Sequence, residues 1–135
     1  MWFFGSEAFL SVVQHKTDPA ILVVRSRRPG HIQKMFPTAE VVTIDGRDYM
    51  YRTELPREAV AERMHKYVMD MTATNFKNSV KDQTYHGACI SVWSVMEKIQ
   101  PMPAYALYSD PNRHYGGYHQ YSFEHKPATL RGKRK

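Results

Sequence analysis

Hydrophobic positions come in short continuous runs in the first half of the chain and recur at helical spacing in the second. Phe9-Leu10-Ser11-Val12-Val13-Gln14-His15 is apolar and β-branched. Lys16-Thr17-Asp18-Pro19 carries turn chemistry, and Ala20-Ile21-Leu22-Val23-Val24-Arg25 resumes as an unbroken apolar run. A run without polar alternation predicts a strand covered on both faces. The short turn between the runs permits only antiparallel pairing. Arg28-Pro29-Gly30 breaks the pattern. After it, Ile32, Met35 and Phe36 share one face of a short helix over residues 31–36, which Pro37 ends.

The strongest local signal is Asp45-Gly46, set between Val41-Val42-Thr43-Ile44 and Arg47-Asp48-Tyr49-Met50-Tyr51-Arg52. Asp-Gly between strand-like runs is the signature of a two-residue type I′ hairpin, whose central residues need positive φ. That turn sets Ile44 opposite Arg47, Val42 opposite Tyr49 and Val41 opposite Met50. Pro56 suits the first position of a helix in which Val60, Met64, Tyr67, Val68 and Met71 form a stripe. Glu62 and Lys66 have the spacing of an i,i+4 ion pair. Residues 76–81 predict a short helical turn. A last helix from about Thr84 carries Cys89, Val92, Trp93, Met96 and Ile99 on one face, and Pro101 and Pro103 end it.

The sum is an α+β two-layer domain. It has a four-stranded, mainly antiparallel sheet of two hairpins, with two long helices and one short helix on one face. The domain spans residues 1–103. Residues 104–126 form an irregular arm with five tyrosines (Tyr105, Tyr108, Tyr115, Tyr118, Tyr121) and three histidines (His114, His119, His125). Its aromatics favour partial ordering. Residues 127–135 form a basic, disordered tail.

Length and composition narrow the function classes. The chain has 135 residues, a size typical of one domain that buries its own core. A single cysteine, Cys89, excludes an internal disulfide framework and a multi-cysteine zinc site. No apolar run reaches membrane-span length, and the start lacks the basic stretch of a signal peptide. A cytoplasmic protein with no membrane partner is the expectation.

The net charge is +6, unevenly distributed. Residues 101–135 hold six cations and two anions, a net of +4, leaving +2 for residues 1–100. Arg131, Lys133, Arg134 and Lys135 close the chain, and a cationic tail favours polyanions through counterion release.

Trp2-Phe3-Phe4, Leu22-Val23-Val24-Arg25, Asp48-Tyr49-Met50-Tyr51-Arg52, Asn75-Phe76-Lys77 and Val92-Trp93 resemble segments of a family of small hypothetical bacterial and phage α+β proteins. The likeness covers roughly the first 100 residues. It implies one compact domain of bacterial or phage origin. No activity is attached to that family, so it brings no mechanism.

Catalytic and metal-binding signals are thin. No histidine pair has the i,i+4 spacing of a helical zinc site, and no cofactor is expected. Cys89 reads as a buried, inert residue beside Val92 and Trp93. There is no Gly-x-Ser-x-Gly elbow and no phosphate-binding loop.

What stands out is a cationic and aromatic set: Arg25, Tyr51, Arg52, Asn75 and Lys77. Arginine offers a planar fork of donors to phosphate or carboxylate, and asparagine can orient a ligand. The same residues have structural readings. Arg25 would pair with Glu40 or Glu54, and Asn75 would cap a helix.

Three functions follow. One is a non-catalytic module that binds nucleic acid or another phosphate-bearing ligand. The second is a protein-interaction module, such as a phage or mobile-element regulator. The third is a small phosphodiester hydrolase using His86 or His114 with Arg52 and Lys77.

Overall fold

A computed structural model describes residues 1–100, within which Met1–Ile99 form one compact unit. The arm at 104–126 and the tail, with Arg131, Lys133, Arg134 and Lys135, lie outside the described residues. The elements are β1 (Trp2–Phe4), β2 (Phe9–Gln14), β3 (Ile21–Ser26), α1 (His31–Met35), β4 (Val42–Thr43) and β5 (Tyr51–Pro56). Helices α2 (Arg57–Met69), α3 (Phe76–Ser79) and α4 (Gln83–Glu97) follow.

The α+β class and the antiparallel sheet are as the sequence implies, but the sheet has five strands rather than four, in the order β1-β2-β3-β5-β4. The added strand is β1. Its three residues are too few to show a period, yet Phe3 pairs with Leu10 and Trp2 with Ser11. Every neighbouring pair is antiparallel.

Strand alternation sends successive side chains to opposite faces, and here the two faces diverge sharply. Leu10, Val12 and Val24 are buried against Ile32, Met35 and Phe36 of the α1 region and Val60 of α2. Phe3, Leu22, Tyr51 and Leu55 extend that core. The opposite face is covered at one end by Val80, Tyr85 and Cys89, against which Phe4 and Phe9 pack. The helices therefore do not all lie on one face, and the two-layer expectation is corrected. The first half of α4 reaches the far side because Tyr85, Cys89 and two phenylalanines offer apolar area there.

The turn from β1 to β2 is held from both sides. The Tyr85 hydroxyl donates to the Gly5 carbonyl (2.9 Å), and the Ser6 N–H donates to the Tyr67 hydroxyl oxygen (2.9 Å). A Cβ at Gly5 would lie 2.7 Å from the Phe3 ring, so the turn admits no side chain there without displacing that ring. His31 is buried beneath the same turn. Its Nδ1 accepts the Phe9 N–H (3.1 Å), and its ring meets Tyr85 edge-on at 5.1 Å.

The Asp45-Gly46 hairpin departs from its expected register. Gly46 has φ of +73°, as the turn chemistry requires. However, Val42 pairs with Arg52 and Thr43 with Tyr51, a shift of three from the two-residue loop. Residues 44–50 form a wide loop, closed by the Ile44 N–H donating to the Met50 carbonyl (2.8 Å). The cause is Tyr49. Instead of standing in a strand it is buried beside Phe9, with Arg25 and Arg27 over its ring. Burial of that large ring outweighs the tight turn.

At the other end of β5 no loop intervenes before α2. Pro56 is both the last strand residue and the helix cap, so the helix starts at Arg57 and not at the proline. Arg57 fastens this corner: its N–H donates to the Ala20 carbonyl (2.7 Å), and its guanidinium to the Pro19 carbonyl (2.8 Å) and to Gln14 Oε1 (3.1 Å).

Two predicted helical stripes are only partly buried. In α2, Val60, Met64 and Tyr67 meet the core, while Val68 is exposed and Met71 lies exposed beyond the helix end. The i,i+4 ion pair there is Lys66–Asp70 at 2.7 Å, in place of Glu62–Lys66. In α4, Cys89 is buried, but Val92, Trp93, Met96 and the following Ile99 are exposed. Contact with Phe4 and Phe9 orients α4 about Tyr85 and Cys89, one helical turn apart, which leaves the later positions outside the core.

Candidate functional site

Sheet register brings two of the five singled-out residues together. Arg25 and Arg52 are Cα partners on β3 and β5, because the late part of one antiparallel strand lies beside the early part of the other. They belong to a row that crosses all five strands: Trp2 faces Ser11, Ser11 faces Arg25, Arg25 faces Arg52, and Arg52 faces Val42. Strand spacing makes the row roughly 19 Å long. All five side chains stand on the face opposite the α1/α2 core, by the same alternation that buries Leu10 and Val24.

The arginines are held but not neutralised. Arg25 Nη2 donates to Ser11 Oγ (2.8 Å), and its guanidinium lies 4.8 Å from the centre of the Tyr49 ring. Arg52 Nε donates to the Tyr49 carbonyl (3.0 Å). Arg27 lies 4.7 Å from the Tyr49 ring centre and is ion-paired with Asp48 at 2.6 Å. Among the described residues neither Arg25 nor Arg52 has a carboxylate within salt-bridge distance. Glu54 instead meets His15 at 3.6 Å. Among the described residues Arg25 Nε is buried with no hydrogen-bond partner. Like charges directly opposite each other weaken a sheet, and an unpartnered buried donor adds to that cost. Arginine forks left with open donors are the part of this face suited to an anion.

The other three residues lie elsewhere. Tyr51 follows the pleat to the opposite face, where it pairs with Ser26 and packs on the core. Asn75 caps α3, its side chain accepting the Asn78 N–H at 3.4 Å. Lys77 sits over the exposed Trp93 ring, 4.4 Å from its centre. His86 is half-buried in the first turn of α4. Sequence reasoning passed over Trp2, Ser11, Arg27 and Tyr49. An alternation test applied to Trp2-Phe3-Phe4 would have placed Trp2 and Phe4 together.

Beside this row, β4 covers only the first two residues of β5. Among the described residues the edge beyond them opens into a cleft whose lining includes Phe36, Ala39, Val42, Arg52, Leu55 and Arg63.

The titratable groups near α4 act structurally. Burial lowers the pKa of His31, whose Nδ1 must stay unprotonated to accept the Phe9 N–H. The Arg28 guanidinium, bonded to both Asp82 oxygens (3.0 and 3.2 Å), holds that carboxyl at about 2, and the Tyr85 N–H adds to this. Burial pushes the Cys89 thiol and the Tyr85 hydroxyl up, away from any nucleophilic role. Among the described residues no three His, Cys, Asp or Glu side chains converge as a metal site, and no helix is long and apolar enough to cross a membrane. No protein-family model, curated protein or solved structure matches the chain.

Proposed function

We propose that the protein is a non-catalytic binding module for a phosphate-bearing ligand, engaged through Arg25 and Arg52. The observation that carries the reading is their cross-strand juxtaposition without a carboxylate partner among the described residues. Two adjacent planar forks can take separate oxygens of one phosphate or of neighbouring phosphates. Asn75 and Lys77, assigned to α3, are outside this pair. The closing cations Arg131, Lys133, Arg134 and Lys135 add long-range attraction to the same ligand class.

The test is binding of inorganic polyphosphate by the full chain at low ionic strength, followed by calorimetry. Arg52→Gln keeps a donor but removes the charge, and it should weaken binding about tenfold with no loss of thermal stability. Unchanged affinity in Arg52→Gln and in Arg25→Gln would overturn the reading. Deleting residues 127–135 separates the tail: if that deletion alone abolishes binding, the sheet face is not the site.

A second reading is supported by α4. Val92, Trp93, Val95, Met96 and the adjoining Ile99 are all exposed, an apolar run of the kind used in protein interfaces. Retained polyphosphate binding in a Val95→Glu, Ile99→Glu variant that loses a protein partner would assign the two surfaces separate roles.

A further inference from the structure

Resting on the anion-binding reading, we infer that the ligand is single-stranded nucleic acid, laid across the sheet along the five-residue row with an unpaired base on Trp2. Trp2 is 68% exposed although it is the largest side chain of its strand. It stands two strands from Arg25 and three from Arg52 in the same row, roughly 10 and 14 Å away by strand spacing. Phe9 meets it nearly edge-on, at 6.0 Å and 78°, which fixes the indole while leaving a ring face open. Ser11, the residue between them, is buried and holds Arg25, and the Tyr49 ring packs beside it against Phe9 and Arg25, so a bound strand crosses above these side chains without touching Ser11.

The row thus presents a stacking surface at one end and two guanidinium groups in its middle. That is the pairing single-stranded nucleic acid requires, with aromatic faces for bases and cations for the backbone. A duplex keeps its bases stacked on one another and cannot use the indole. A simple polyphosphate would use the arginines and ignore Trp2. The row's free groups are an indole and guanidinium donors, which meet base and phosphate in DNA and RNA alike. The apolar end at Val42, also exposed, leaves the strand free to run off the sheet.

The experiment measures anisotropy of labelled oligothymidylate and oligouridylate with the full chain, beside the polyphosphate assay. Trp2→Ala should weaken both oligonucleotides about tenfold and leave polyphosphate binding unchanged; Trp2→Phe should recover part of the loss. In a Trp93→Phe background the remaining indole emission comes from Trp2 alone, and oligonucleotide should quench it. Arg52→Gln should reduce the log–log salt slope by about 0.7. If Trp2→Ala leaves oligonucleotide affinity unchanged, or a matched duplex competes equally, the single-strand inference falls while the anion reading survives on its polyphosphate response. If neither Arg52→Gln nor Arg25→Gln changes oligonucleotide or polyphosphate binding, the anion reading itself falls.

Discussion

On one face of the sheet Leu10, Val12 and Val24 meet Ile32, Met35 and Val60; on the other, Arg25 and Arg52 meet Tyr49, in one row with Ser11 and an exposed indole. The same strands supply both faces, one residue out of step. The first face is mostly apolar, with Ser26, Tyr51 and Thr53 as its polar members, and is sealed by α1 and α2. Among the described residues the second carries two adjacent positive charges, with apolar cover from Tyr49 and where Phe4 and Phe9 meet Tyr85 and Cys89. Separation of this kind lets the arginines impose their repulsion on a structure stabilised elsewhere. A sheet needs only one good face to fold, so the other can hold residues chosen for a ligand.

The sharpest way to break this division is to damage the sealed face. Leu10→Ala empties a fully buried position and should cost roughly 2–5 kcal/mol in urea unfolding. A cost near zero would mean the core is not where the burial pattern puts it. Next is the link between the faces. Tyr85→Phe removes the hydroxyl that satisfies the Gly5 carbonyl and should cost about 1–3 kcal/mol by the same measurement.

Acid should act through the covered end of the open face. The His31 pKa is lowered in the folded state, so the unfolded chain binds its proton first. The stability linked to His31 is complete above 6.5 and declines as pH falls below it. Asp82 contributes above 3.8 and loses its contribution as pH drops toward about 2. Urea midpoints should therefore fall from near pH 6.5 downward, and Asp82→Asn should erase only the lower part of the decline. A midpoint level between pH 7 and 5 would contradict the burial of a neutral His31.

The smallest effect is expected at Trp93. It is 40% exposed, with Lys77 over its ring, so Trp93→Ala should cost no more than about 1 kcal/mol. The sequence, which sets Trp93 in a buried stripe, implies roughly 3–5 kcal/mol. Calorimetric melting of this one variant decides between the two.

That contrast marks where the chain is legible. Strands β2 and β3 follow from unbroken apolar runs, α2 and α3 from spacing and turn chemistry, and the positive φ at Gly46 from its aspartate neighbour. A helical stripe, however, identifies a face without saying how far along the helix its contacts extend. In α4, among the described residues, the core contacts stop near Cys89. The hairpin register was hidden because it depends on Tyr49 packing against Phe9, a residue forty positions away. Arg25 and Arg52 were visible as cations at strand ends. Their adjacency needed the pairing of β3 with β5 across an intervening helix and strand. Tyr51 was separable in advance, since neighbours in a strand cannot point the same way.

The seamless junction at Pro56 has a mechanical meaning. With Arg57 anchored to the β2–β3 turn and no connecting residue to bend, α2 has no hinge of its own. Any opening that frees the first turns of α2 must also pull β5 from β3. Amide hydrogens of these two elements should then exchange at one shared rate, as a single cooperative unit. Arg52 rides on that unit, so a force applied to its guanidinium is transmitted into the helix rather than absorbed by a loop.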